Sequence, residues 1–209
     1  MKKIIRLIVF AVFMVTACTA EMTPVEMDKP QEGQTIADVE TLAIGAPLYT
    51  SKEGYPSKEE YVGILNDMGA KVLKERIVTY NTVAQGIRQK TGKDVYTLDR
   101  IPAAKIFKDN VMDFADAYLV STVTMSRRTV MFFDVYRAGT NELLYGYELI
   151  LDNEDKDDVK TYSELVEKFY KHFISVQESQ KKEKEKADRK AQKEREKAER
   201  KAQKEREGK

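Results

Sequence analysis

The stretch TVMFFDVYRAGTNELLYGYELILD, residues 129–152, carries the clearest structural signal in the chain. Its first half alternates between two sets of side chains, which are Met131, Phe133 and Val135 on one side and Phe132, Asp134 and Tyr136 on the other. After the turn AGTN, one set shares a face in the second half: Leu143, Tyr145, Tyr147 and Leu149. A period of two is typical of strands packed on one face, so the stretch predicts an antiparallel hairpin.

Working outward, the run DAYLVSTVTMS before the hairpin predicts a third strand, and two short apolar runs, around Leu42–Ile44 and from Arg76 to Tyr80, predict two more. Helices are expected between these strands. Ser57 and Glu60 form a capping box for a helix that ends near Arg76, Asn81 caps a helix that ends at Gly92, and a third helix follows Pro102. We therefore predict an α+β domain over residues 39–176, with an antiparallel or mixed sheet backed by helices in two layers.

A last helix is predicted to open at Thr161, with Glu164 as its capping partner. Its first half has apolar side chains at helical spacing and packs on the domain. From residue 177 to 209 the apolar stripe ends, and the segments ADRKAQKEREK and AERKAQKEREG repeat every eleven residues. We expect this charged tail to be an exposed helix supported by (i, i+4) pairs such as Glu185–Arg189 and Glu196–Arg200.

The N-terminus has a basic start, an apolar run and small residues before the single cysteine, Cys18. This order is typical of a secretory signal, here residues 1–17. The tetrapeptide Val15-Thr16-Ala17-Cys18 resembles the lipobox of bacterial lipoproteins, which implies that Cys18 carries acyl chains such as palmitate and holds the protein on a membrane. By the same resemblance, Thr19 in place of Asp favours the outer membrane. Residues 18–38 are polar, contain Pro24, Pro30 and Gly33, and predict a flexible tether.

Charge is distributed unevenly along the chain. The whole sequence has 36 basic and 35 acidic residues, but residues 181–209 alone hold 14 basic and 8 acidic residues. The tail is thus a basic segment on a mildly acidic domain. Because it is interleaved with glutamates and has no aromatic residue for stacking, we expect no nucleic-acid partner.

The sequence offers no catalytic constellation and suggests no cofactor. His172 is the only histidine, and it lies on the apolar face of the last helix, so a packed, hydrogen-bonded ring is expected. Without a second histidine or a free cysteine, no zinc or cysteine-nucleophile site can form. The acidic run at residues 152–158 lacks the glycine and terminal glutamate of a calcium loop, so we interpret it as a solvated turn.

One aromatic set stands out as a candidate partner-binding face: Phe132, Tyr136, Tyr145 and Tyr147. Our first interpretation is that these side chains pack under a helix as core. The alternative is an open face, since aromatic residues with one polar end are favoured at protein interfaces.

The stretch FADAYLVSTVTM, residues 114–125, and the turn region AGTNELLYGYEL, residues 138–149, resemble a family of envelope domains. This family includes the TolB amino-terminal domain, the curli secretion lipoprotein CsgG and the penicillin-binding-protein activator LpoB. The resemblance covers about residues 41–152 and implies an adaptor lipoprotein that docks another envelope component, with no catalytic residues.

The leading hypothesis is therefore a lipid-anchored, non-catalytic binding or assembly module of the bacterial envelope, facing the periplasm. A structural alternative is a spacer whose charged helix reaches the cell wall or a partner. A weaker alternative is an enzyme that acts on envelope polymers.

Overall fold

The computed structural model describes residues 25–30, 34–50, 52–125, 128–152 and 158–207. The strands and helices follow in this order: β1 (Val25–Pro30), β2 (Leu42–Ile44), α1 (Lys58–Leu73), β3 (Ile77–Val78), α2 (Tyr80–Thr91), α3 (Arg100–Asn110), β4 (Ala117–Met125), β5 (Arg128–Arg137), β6 (Leu143–Asp152) and α4 (Val159–Glu207). Two 3₁₀ turns, Lys74–Arg76 and Val111–Asp113, follow α1 and α3. The α+β class predicted from the sequence is confirmed.

The six strands form one mixed sheet in the order β1-β6-β5-β4-β2-β3. β2 runs parallel to both β3 and β4, whereas the β4–β5, β5–β6 and β1–β6 pairs are antiparallel. Parallel neighbours need a crossover, and α1 supplies the one between β2 and β3. The three long strands β4, β5 and β6 therefore form the centre on which the helices pack.

One face of the sheet is covered by α1 and α4, and we call it the inner face. Met131, Phe133 and Val135 are fully buried there, as their alternation predicts. The ring of Phe133 stacks on Phe169 of α4 with centroids 4.4 Å apart. Burial of a large aromatic side chain contributes about 1.5–3 kcal/mol, so this layer dominates the stability of the fold.

The opposite face, the outer face, is partly covered by α2 and α3. A second buried cluster joins Ala43 and Tyr118 of the sheet to Val83 and Ile87 of α2 and Phe107 of α3. Helices thus pack on both faces, and the two-layer prediction is wrong. The reason lies in the topology: the chain crosses from β3 over β2 to reach β4, and α2 and α3 make that crossing on the side opposite α1.

Side-chain caps mark the starts of α1 and α2. Ser57 accepts a hydrogen bond from Glu60 N (3.1 Å), and the Glu60 carboxylate accepts one from Ser57 N (2.7 Å), which confirms the capping box. Thr79, and not Asn81, caps α2 by accepting from Thr82 N at 3.2 Å. Gly92 ends α2 in the left-handed conformation, as predicted. α4 begins at Val159, two residues before the predicted Thr161.

The predicted tether over residues 18–38 is wrong for its second part. Val25–Pro30 forms an edge strand paired with β6, and Ile36 is buried against the inner face. Gln177 of α4, itself buried, donates to the carbonyl of Ile36 at 3.0 Å. Backbone pairing with an open strand edge explains why a polar sequence without a hydrophobic pattern is ordered here.

The predicted boundary between domain and tail, at residues 176 and 177, shifts along α4. Gln177 and Gln180 both bind the segment before β2, with Ile36 N donating to Gln180 Oε1 at 2.8 Å. Beyond Gln180 every side chain from 181 to 200 is exposed. Among those residues the expected pairs Glu185–Arg189 and Glu196–Arg200 do not form, and Gln192 donates to Glu196 at 3.2 Å. Within the described parts of the chain, no helix is long and apolar enough to cross a membrane.

Candidate binding groove

The four aromatic residues of the predicted partner face do not share one face. In the register of the hairpin, Phe133 lies opposite Tyr147 and Val135 opposite Tyr145, so Tyr145 and Tyr147 belong to the inner face. Phe132 and Tyr136 belong to the outer face and are half-buried. The prediction of a single cluster is therefore wrong.

Tyr145 and Tyr147 are buried beneath α4, where they hold the lone histidine. The Tyr145 hydroxyl and His172 Nδ1 are 2.7 Å apart, and the His172 ring stacks on Tyr147 with centroids 4.6 Å apart. Tyr147 donates to the Glu26 carboxylate at 2.6 Å. Burial, followed by the nearby carboxylates of β1, raises the pKa of both tyrosines. These contacts confirm the packed, hydrogen-bonded role predicted for His172 and make this pair core.

The outer face carries a groove of about 1110 Å³. Its floor is formed by β4 and the start of the β5–β6 turn, with Tyr118, Val120 and Tyr136. One wall is the segment 45–50, and the other is α3 with the loop before it. Helices α2 and α3 cover β2 and part of β4, which is why the groove opens at this place.

Five rings form a continuous row along the groove, which we call the aromatic row. From the outside inward it consists of Tyr96, Tyr80, Phe107, Tyr118 and Tyr136. The successive ring centroids are 5.5, 5.6, 5.9 and 5.3 Å apart, with alternate edge-on and stacked contacts. Such geometries are the favourable ones for aromatic pairs, so the row holds its own shape.

Burial acts on the hydroxyl groups of this row. It raises the pKa of Tyr118 to about 12, and the charge of Tyr136 is the second cause. Burial also raises the pKa of Tyr136, where the charge of Asp134 is the second cause. Tyr118 donates to Asn141 Oδ1 at 2.9 Å, where Asn141 adopts a positive φ in the β5–β6 turn. At neutral pH these tyrosines are therefore neutral hydrogen-bonding groups with apolar ring faces.

The wall at residues 45–50 lies unusually close to the sheet. It continues β2 alongside β4, with Gly45 N donating to Leu119 O and Leu48 N to Ser121 O, both at 2.8 Å. A Cβ at position 45 would lie 2.8 Å from the Leu119 carbonyl oxygen. Glycine is needed here for this close approach, and the approach leaves Leu48 facing the groove with 40% of its surface exposed.

The groove is lined with cations, three of which have no carboxylate partner among the described residues. These are Lys58, Arg100 and Lys108, and Lys108 Nζ lies 5.9 Å from the Tyr136 ring centroid. Lys105 is paired with Asp109 at 2.7 Å on the same helix. The local field of the groove is therefore positive, although the domain as a whole is acidic.

Two exposed apolar side chains mark the outer rim, and sequence reasoning missed both. Ile101 is 78% exposed and Tyr96 is 59% exposed. They occur in DVYTLDRIP, residues 94–102, which has no strand or helix periodicity. The sequence signal for this rim was the presence of apolar residues in a segment without periodicity, because neither a strand pattern nor a helix pattern explains them.

The described residues show no group of three or more His, Cys, Asp or Glu side chains that could hold a metal ion. Cys18 and most of the acidic run at residues 152–158 lie outside the described residues, so lipidation and the turn stay predictions.

No protein-family model and no curated protein matches this chain. Solved structures match it weakly. The PelC dodecamer from Paraburkholderia phytofirmans has a TM-score of 0.41 and 8% identity, covering 70% of this chain and 94% of that chain. The LpoB C-terminal domain from Salmonella enterica has a TM-score of 0.42 and 15% identity, covering 58% of this chain and 87% of that chain. The same domain from Escherichia coli has a TM-score of 0.41 and 13% identity, covering 59% of this chain and 88% of that chain. Similarities this low assign neither family nor function.

Proposed function

We propose that this protein is a non-catalytic binding module of the bacterial envelope, anchored through lipid on Cys18 and facing the periplasm. Its docking surface is the groove on the outer face. The observation that carries the proposal is the aromatic row, which ends in half-buried Tyr136 inside a groove with an open side.

The chemistry of the groove favours a protein segment with apolar side chains flanked by carboxylates. Tyrosine and arginine are enriched where proteins bind each other, and rigid rings give contact area at low entropy cost. Lys58, Arg100 and Lys108, which pair with no carboxylate in the part of the chain that the structure describes, complement an acidic segment in charge. Exposed Ile101 and Leu48 provide apolar contacts at opposite walls.

Site-specific photo-crosslinking in cells tests this proposal. A benzophenone amino acid placed at Ile101 lies in the groove, whereas the same group at Met112 lies on an equally apolar, 61% exposed position outside it. We expect one defined protein adduct from position 101 and none from position 112. Mass spectrometry should map the crosslink to a segment rich in acidic and apolar residues, and Lys108→Glu should reduce the yield.

Equal adducts from both positions, or a crosslink only to lipid, would contradict the groove as docking surface. Purified protein that hydrolyses cell-wall fragments reproducibly would favour the enzyme alternative instead.

The anchor has its own test. The mature protein extracted from membranes should have a mass that corresponds to cleavage before Cys18 plus acyl chains. A Cys18→Ser variant should lose that mass increment and leave the membrane fraction. An unlipidated wild-type chain would remove the anchor from the proposal and leave the groove untouched.

The spacer function remains a second candidate because α4 continues as one helix to Glu207, with residues 181–200 wholly exposed. Deleting residues 181–209 separates the two functions. If the crosslink at position 101 persists, docking belongs to the domain; if it disappears while the domain stays folded, the tail positions the partner.

A further inference from the structure

The charges of the tail are sorted around the helix. At about 100° per residue, a sector roughly 100° wide contains only basic residues between 181 and 200. Its members are Lys182, Lys186, Arg189, Lys190, Lys193, Lys197 and Arg200. Every acidic residue of this span lies outside the sector. We call these seven residues the basic stripe, and it stays straight because the sequence repeats every eleven residues, close to three helical turns.

The basic stripe is free to bind. All seven side chains are exposed, and none of them forms an ion pair with another side chain that the structure describes. From Lys182 to Arg200 the stripe is roughly 27 Å long at about 1.5 Å per residue. Cations therefore repeat along the helix every three or four residues, which is a linear array and not a pocket.

The tail leaves the domain at the end opposite to the one where the N-terminal chain enters. Val25 pairs with Ile150, near the end of β6, and α4 starts just after that strand. α4 then runs the length of the sheet, so that Gln180 reaches Thr35 beside Arg137 at the β5–β6 turn. Cys18 is seven residues before Val25, at most about 25 Å away.

We propose that the basic stripe binds a linear, carboxylate-bearing polymer of the envelope that lies beyond the anchoring membrane. A linear array of cations on a rigid helix matches a polymer with regularly repeated anions. The stripe is mid-helix, so its backbone N–H groups are already bonded, and lysines outnumber arginines five to two. This surface therefore does not provide phosphate recognition by bidentate arginine or by a helix N-terminus.

The direction of the tail decides between the polymer and the anchoring membrane. With lipid on Cys18, the Val25 end faces the bilayer, and residues 181–207 extend a further ~40 Å away from it at about 1.5 Å per residue. This step rests on the anchor in the proposed function, whereas binding of a polyanion by the stripe does not.

The experiment compares two triple variants of the full chain, purified from membranes in a non-ionic detergent. The stripe variant carries Lys186→Gln, Lys193→Gln and Lys197→Gln. The control carries Lys181→Gln, Lys184→Gln and Arg195→Gln, which lie outside the sector and remove the same charge. Glutamine keeps helix propensity close to that of lysine and arginine, and circular dichroism verifies equal helix content.

Binding to polygalacturonate, a linear carboxylate polymer, is measured at several salt concentrations. We expect the stripe variant to lose about tenfold or more in affinity, the control less than about threefold, and wild-type binding to weaken steeply with salt.

Three outcomes would overturn the proposal. Equal losses in both variants would mean that only net charge matters. Stripe-dependent binding to vesicles of anionic lipid, with no binding to the polymer, would identify a membrane surface instead. No polymer binding by the wild-type chain at low salt would remove the site altogether. Each result leaves the crosslinking test of the groove unaffected, so failure of the stripe and failure of the groove are distinguishable.

Discussion

Both faces of the sheet have aromatic residues packed against them, but the rings are arranged differently on the two faces. On the inner face, Phe133 and Phe169 stack in a layer closed by α1 and α4. On the outer face, the aromatic row runs from exposed Tyr96 through buried Tyr118 to half-buried Tyr136 along an open groove. The difference teaches that ring content does not separate a closed core from an open groove; what separates them is whether a helix covers the rings.

The largest expected effect lies on the inner face. Phe169→Ala removes a fully buried ring stacked on Phe133, so the free energy of unfolding should fall by about 3–5 kcal/mol. Urea denaturation followed by circular dichroism measures it. A loss below about 1 kcal/mol would mean that the inner face is not closed as described.

The second effect concerns the wall of the groove. Gly45→Ala places a Cβ 2.8 Å from the Leu119 carbonyl oxygen, so a loss of about 1–3 kcal/mol is expected. Gly63→Ala is the matched control, because no atom lies within 4 Å of its Cβ and α1 gains helix propensity of up to about 1 kcal/mol. Opposite signs of the two stability changes are the predicted result; the same sign would refute the close approach at Gly45.

Asp116 connects the starts of β2 and β4, which are neighbouring strands of the sheet. Its carboxylate accepts from Glu40 N at 3.0 Å and from Thr41 N and Oγ1 at 2.9 Å each. Burial alone would raise the pKa of Asp116, but these hydrogen bonds lower it below its usual value of 3.8. Asp116→Ala should cost about 1–2 kcal/mol at pH 7.

The pH dependence follows from the lowered pKa. The stabilisation by the Asp116 carboxylate is complete above the pKa of the unfolded state and is lost as the pH falls through the lower pKa of the folded state. The free energies of unfolding of wild type and variant should therefore converge below about pH 4. Asp113→Ala removes an exposed ion pair with Lys90 and serves as control, with an expected cost below about 1 kcal/mol. Denaturation curves between pH 3 and 7 measure both, and a constant gap across that range would contradict the role of Asp116.

The smallest stability change is expected on the outer face. Tyr136→Ala removes a half-buried ring stacked on Tyr118 and should cost about 1 kcal/mol. Its larger effect should be on docking, measured as the crosslink yield from position 101. A stability loss comparable to that of Phe169→Ala would show that the groove is core, and the comparison of the two faces would no longer hold.

The hairpin could be predicted from sequence because alternation reports burial directly. Which residues of β5 and β6 share a face could not be predicted, because that depends on the register across the turn and on the irregularity between Val135 and Tyr136. Alternation was right within β5 and from Tyr145 to Leu149 of β6. At the start of β6 it was wrong, because Leu144, and not Leu143, packs in the inner-face cluster. The assignment of Tyr136 and Tyr145 to one cluster was wrong for the same reason.

β1 and the groove were missed for a different reason. An edge strand such as Val25–Pro30 is held by backbone pairing, which leaves no hydrophobic pattern in the sequence. The groove combines residues far apart in the chain, from Leu48 to Tyr136, and only the crossing of α2 and α3 brings them together. Composition and spacing carry no information about such distant contacts.

The pairing of β1 has a mechanical consequence. Six residue pairs, from Val25 opposite Ile150 to Pro30 opposite Tyr145, run along the direction that joins the N-terminal entry to the exit of α4. A force applied between an anchored N-terminus and a held tail therefore acts along β1, and its hydrogen bonds resist together in shear instead of opening one after another. The strand with the weakest sequence pattern would thus resist such a force.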